Sequence, residues 1–172
     1  MCIKRRILNE YVTLDVEATG LNPEKHKIIA VAVCKIKDGN IIDEYTAFVN
    51  PKEVIPPVTA EITKITNDMV KDAETIDIVI PKLLDFIGSL PIVVHCSRMI
   101  IGFLKKNCTD INVSLDNEII DTLPLCKEKL LPNLKIYTPR TILKALGDDE
   151  IVLDRLIDYA RFTYRIFEMI KT

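Results

Sequence analysis

Apolar and polar positions along the chain sort first into three strand-like runs. Residues 10–17 (EYVTLDVE) are rich in Tyr, Val and Leu, and residues 26–36 (HKIIAVAVCKI) form a nearly continuous apolar run. Asp38-Gly39-Asn40 then supplies turn chemistry before IIDEYTAFVNP, so the pattern predicts an antiparallel three-strand meander. Pro51, Pro56 and Pro57 predict an irregular stretch over 51–59. TAEITKI and TNDMVKDA read as two short helices, with Thr66 as N-cap and Asp68 in the first turn of the second.

Beyond residue 75 the apolar spacing changes to that of helices alternating with short strands. Ile78, Leu83, Leu84, Phe86 and Ile87 predict a helix that starts near Pro81 or a turn earlier and closes at Gly88. LPIVVH reads as a buried strand, SRMIIGFLKKN as an apolar-faced helix ending in lysines, EIIDTL as a strand and PLCKEKLL as a helix. TPRTILKALG fits a short helix closed by Gly147, and DRLIDYARFTYRIFEMIK a long final one. The chain has 172 residues, enough for one domain over 1–172 with a substantial core.

Composition narrows the function classes a little. Apolar residues make up 48% of the chain, yet no run of about 18 is uninterrupted, so no membrane helix is expected. MCIKRRILNEYVTL lacks the long apolar stretch of a secretory signal. Five cysteines (Cys2, Cys34, Cys96, Cys108 and Cys126) form no CxxC pair, which argues against zinc and for reduced thiols in the cytoplasm. Net charge is −2, so nucleic-acid binding would need a local basic patch.

The chemistry begins at YVTLDVEATGL, where Asp15 and Glu17 stand at the end of the first strand. Residues i and i+2 of a strand share a face, so both carboxylates point the same way. Two such charges repel unless a cation lies between them or one stays protonated.

Asp15-Val16-Glu17-Ala18-Thr19-Gly20 is an intact D-x-E-x-T-G motif, and with it the chain resembles the DEDD-type exonuclease superfamily. The similarity is to the 3′–5′ proofreading exonuclease of bacterial DNA polymerase III, from about residue 10 to about 168. IPPVTAEITKITNDMVKDA resembles that family's approach to the substrate cleft, VVHCSRMIIGFL its second motif and DRLIDYARFTYRIF its third. The resemblance implies a ribonuclease-H-like α/β fold, a mixed sheet of about five strands covered by helices. It implies metal ligation at Asp15 and Glu17, Asp154 as a further catalytic-site carboxylate, and substrate contacts at Thr19, Gly20, Thr63, Arg155 and Tyr159.

The same motifs depart from the family where activity is decided. Four carboxylates hold two divalent ions in the family, and a His serves as general base. Here Ile100 occupies the second-motif Asp position, and Cys96 and Met99 replace the usual Asn and Phe. Asp154 falls at the His position of the third motif and Tyr159 at its Asp position. The IHGIT-like segment reads Ile62-Thr63-Lys64-Ile65-Thr66. Asp158 neighbours Tyr159 but is rotated about 100° around the helix.

The expected function is a divergent exonuclease domain, catalytically impaired, that binds single-stranded 3′ ends or a protein partner. Alternatives are an active exonuclease with a rearranged site, using Mg²⁺ or Mn²⁺, and a structural subunit of a polymerase or nucleic-acid assembly. At most one weakly held ion is expected at Asp15 and Glu17. In place of metal, the Tyr159 hydroxyl, or failing that Arg155 or another cation, is expected to hydrogen-bond one of the two carboxylates. His95 is expected to satisfy a core hydrogen bond, Asp121 to anchor a helix or turn, and Arg161 and Arg165 to share a solvated helix face, with a place bordering the cleft as the alternative.

Overall fold

β1 (Glu10–Ala18), β2 (Ile28–Lys37) and β3 (Asn40–Phe48) form the antiparallel meander that the pattern predicts. The β2–β3 hairpin closes through Asp38 and Gly39, both at positive φ, the geometry that matches the strands' right-handed twist. The computed structural model describes residues 8–148, 152–153 and 155–171. β4 (Ile92–Val94) lies parallel to β1, and β5 (Ile119–Asp121) parallel to β4. The sheet order is β3-β2-β1-β4-β5, a mixed five-strand sheet.

Helices cover both faces. Val12, Leu14 and Val16 pack with buried residues of α3 (Ile76–Ile87) and α4 (Ser97–Asp110), among them Leu83 and Phe103. Tyr11, on the opposite face, packs with Ala160 and Phe167 of α7 (Leu156–Lys171). The Thr13 hydroxyl donates to the Ala160 carbonyl at 2.8 Å, pinning α7 to β1. Alternation along the strand therefore turns Tyr11, Thr13, Asp15 and Glu17 toward α7.

Several boundaries move from their expected places for identifiable reasons. α1 (Pro57–Thr63) begins inside the stretch expected to be irregular, with proline at its first position, where a missing N–H costs nothing. In α2 (Asn67–Val70), Thr66 stands at the N-cap position and its N–H donates to the Met69 Sδ at 3.5 Å. α3 starts a turn before Pro81 and carries that proline inside it. An internal proline costs about 3 kcal/mol. Burial of Val79, Ile80, Leu83 and Ile87, at about 1.5–3 kcal/mol each, outweighs it.

α4 runs on to Asp110, so Lys105 and Lys106 lie inside it rather than at its end. α5 (Thr122–Leu125) leads into a π-helical turn over Cys126–Leu130, closed by the Leu131 N–H on the Cys126 carbonyl at 2.8 Å. α6 (Pro139–Leu146) is capped by the Thr138 hydroxyl and ends at Gly147 with φ 64°. Among the described residues, no helix is long and apolar enough to cross a membrane.

Candidate functional site

A cleft of about 200 Å³ opens where the end of β1 meets the starts of α6 and α7 and the α1–α2 segment. Glu17 and Tyr159 line it together, with Thr63 on the α1 side. A register shift in the β1–β2 pairing falls between Glu17 and Ala18, the kind of bulge that re-aims a side chain at a strand end. Asp15 lies deep beside them, although its residue keeps some exposed surface. The two carboxylates thus share one face, as their spacing predicts, and that face meets Tyr159 in the first turn of the final helix.

Their compensation is not the one expected. Arg155 turns to Asp158 instead: its backbone N–H donates to Oδ2 at 2.9 Å and its Nη2 to Oδ1 at 3.2 Å. Tyr159 has Arg140 beside its hydroxyl, and burial raises its pKa while Arg140 pulls it down and Glu17 and Asp15 push it up. Among the described residues, neither Asp15 nor Glu17 receives a side-chain hydrogen bond or ion pair. The reason is geometric. A buried Asp158, one residue before Tyr159 and rotated away from the cleft, captures Arg155 from Arg155's own helix end.

Both carboxylates hold their protons more tightly than free acids do. Burial, and then the Glu17 charge, hold the Asp15 pKa well above the usual carboxylate range; the Val16 amide only partly opposes them. Burial lifts Glu17 from 4.5 to about 7.

The other candidate residues divide between cleft and scaffold. Thr19 is buried, and its hydroxyl donates to Glu53 Oε1 at 2.9 Å while accepting from the Lys27 N–H at 3.0 Å. Those bonds hold the loop after β1. Gly20 packs under His26, whose Nε2 would lie 2.5 Å from any Cβ placed there. Thr63 faces the cleft, but its hydroxyl donates back to the Thr59 carbonyl at 2.9 Å. Asp154 lies outside the described residues.

His95 bridges Thr122 Oγ1 at 2.8 Å and the Tyr137 carbonyl at 3.0 Å, and burial lowers its pKa, which fits the expected core role. Asp121 accepts from the Cys96, Ser97 and Leu123 N–H groups, anchoring the starts of α4 and α5. Arg161 pairs with Glu44 at 2.7 Å and Arg165 with Asp148 at 3.1 Å. Neither is among the residues that line the cleft.

Two cleft cations escaped the sequence reading, Lys64 and Arg140. Lys64 stands within the IHGIT-like segment, where its replacement of glycine was legible as a difference but not as a charge aimed at the cleft. Arg140 comes from α6, far along the chain, and nothing in its local pattern marks it.

A mixed five-strand sheet flanked by helices, with paired carboxylates at the end of its central strand facing the last helix, defines a nuclease-type α/β fold of the ribonuclease-H-like class. The exonuclease family model matches residues 12–151, and the chain belongs to that family. It is 39% identical over 160 residues to DNA polymerase III PolC-type of Clostridium perfringens (strain 13 / Type A), covering 93% of this chain. It is 33% identical over 158 residues to the same polymerase type of Thermotoga maritima, covering 91% of this chain. The chain spans 11% of the length of these relatives.

Among solved structures, Exonuclease X in complex with 5′ overhanging duplex DNA superposes with a TM-score of 0.70 at 24% identity. That match covers 93% of this chain and 90% of the other. The nuclease domain of 3′hExo, a DEDDh family member bound to rAMP, gives a TM-score of 0.76 at 20% identity, with 95% and 92% covered. These likenesses establish the fold.

Exonucleases of this family use Mg²⁺ or Mn²⁺, hard cations that take oxygen ligands. Among the described residues, no three His, Cys, Asp or Glu side chains come together as a metal site. Ile100 is buried with Val16 and Leu83 in the core and offers no oxygen ligand. Tyr159 brings a neutral hydroxyl whose pKa is raised. The described side chains do not fit a pair of divalent ions.

Proposed function

We propose that this domain binds single-stranded nucleic-acid ends in its exonuclease cleft without performing two-metal hydrolysis. The observation that carries the reading is the make-up of the cleft among the described residues: the carboxylate Glu17 lines it with Tyr159 and three basic residues, Lys64, Arg140 and Arg155. Hydrolysis of a phosphodiester through paired ions needs a converging set of oxygen ligands. Strand binding needs a local basic groove with apolar surface for bases. The lining of the cleft supports the second. Ile62 lines it while 74% exposed, and Val58, one turn earlier on α1, is 67% exposed.

Within this reading Asp15 and Glu17 shape the floor of the cleft. Arg155 and Tyr159 form its α7 wall, and Thr19 and Gly20 act through the loop they hold. Fluorescence anisotropy with labelled single-stranded DNA in EDTA tests the proposal. Binding that persists without divalent ions, and weakens as salt rises, is the expected result. Absence of binding at low salt would refute it.

A further inference from the structure

We infer that the mouth of this cleft is a metal-independent phosphate site, in which Lys64, Arg140 and Arg155 receive the terminal phosphate of a nucleotide or strand end. The inference rests on reading the cleft as the nucleic-acid site, and it adds a ligand group and the residues that take it.

Among the described residues, Lys64, Arg140 and Arg155 line one cleft with the carboxylate Glu17, and Arg155 alone of the three is paired with an acid, Asp158; positive charge gathered there attracts an anion. Among the described residues, no carboxylate pairs with Lys64 or Arg140. Arg140 gives its Nη2 to the Leu153 carbonyl at 3.0 Å, which orients the guanidinium and leaves its charge uncompensated by any acid. Arg155 holds buried Asp158 through Nε and Nη2, which fixes its plane and leaves Nη1 for a ligand while the side chain stays 69% exposed. Planar guanidinium groups fixed in this way suit phosphate oxygens.

Lys64 is a second and independent pointer. It ends α1 at φ 62° and ψ 14°, the left-handed region where glycine is unstrained. A lysine there is strained, and strain of this kind collects at ligand sites. Lys64 lines the cleft and brings a cation to it, whereas glycine would satisfy the backbone alone. Met69 and Leu156 line the same cleft, so the cations stand beside apolar surface for sugar or base. That combination fits a nucleotide better than a bare inorganic anion.

The test is calorimetric titration in EDTA with thymidine 5′-monophosphate and with thymidine. The wild-type chain should bind the monophosphate at least about tenfold more tightly, a preference lost in a Lys64→Gln, Arg140→Gln, Arg155→Gln variant shown by circular dichroism to be folded. Lys64→Gly should weaken monophosphate binding several-fold while raising the melting temperature. A residue with a merely structural role would not move both in that way. Equal affinity for nucleoside and nucleotide, an unchanged preference in the triple variant, unchanged affinity in Lys64→Gly, or binding that requires Mg²⁺ or Mn²⁺ would overturn the inference.

Competition with oligonucleotides ending in 3′-phosphate or 3′-hydroxyl separates a strand end from a free nucleotide as the source of the phosphate. It also separates the two claims. Oligonucleotide binding that is equal in wild type and triple variant leaves the strand-binding reading standing and removes the phosphate site. A monophosphate preference with no strand binding does the reverse.

Discussion

Replacing Glu17 with Gln removes a carboxylate that the fold holds in an unfavourable place, and the effect on stability depends on pH. Burial raises the Glu17 pKa from 4.5 to about 7. The folded chain therefore binds a proton that the unfolded chain has already released between those values. Stability associated with this group is full below pH 4.5 and declines as pH rises to about 7, where the charged form must be kept in the cleft. At about 1.4 kcal/mol per tenfold change in acidity, the loss is about 3 kcal/mol. Gln resembles the protonated acid and carries no such loss.

Urea unfolding of wild type and Glu17→Gln at pH 4.5, 6, 7 and 8 reads the effect of the Glu17 charge, including its push on the Asp15 pKa, because groups outside this pair cancel in the difference. Glu44 and Asp121, both with lowered pKa values, change stability only below about pH 4.5, in the opposite sense. The two proteins should be nearly equal at pH 4.5. Glu17→Gln should be more stable by about 3 kcal/mol at pH 8. Wild-type stability at pH 8 equal to or above that of the variant would show that the carboxylate is compensated, and the reasoning would fail.

Tyr159→Phe should cost less than about 1.5 kcal/mol in urea unfolding, because its hydroxyl sits beside Arg140 and makes no hydrogen bond to either carboxylate. Tyr159→Asp should destabilise more at pH 8 than at pH 5, since it adds a third acid to an already crowded site. Asp121→Ala should cost about 2–3 kcal/mol in the same assay, because it removes the acceptor for N–H groups at the starts of two helices. Lys64→Gly should stabilise the fold by about 1 kcal/mol by relieving the left-handed backbone.

The fold was legible wherever the apolar period was long and turn chemistry local. The meander, the Asp38-Gly39 hairpin, the Gly88 and Gly147 helix ends and the five strands all follow from such signals. The start of α3 was left open by a turn because Pro81 competes with a buried face whose weight only tertiary packing reveals. In the site, i, i+2 spacing was enough to put Asp15 and Glu17 on one face, and the family resemblance indicated the last helix as what that face meets. It could not say where Arg155 would turn, because that depended on Asp158 being buried and needing a partner. Lys64 and Arg140 reach the cleft from α1 and α6, and no local pattern encodes that convergence.

The central claim, strand binding without two-metal hydrolysis, is tested most directly under single-turnover conditions. Protein in excess over 3′-labelled single-stranded DNA is incubated with Mg²⁺ or Mn²⁺, wild type beside Asp15→Ala, and released mononucleotide is measured. The account predicts that the strand stays bound and intact, with the same negligible release from both proteins. Mononucleotide release by the wild type that Asp15→Ala abolishes would place working chemistry at the first motif and contradict it.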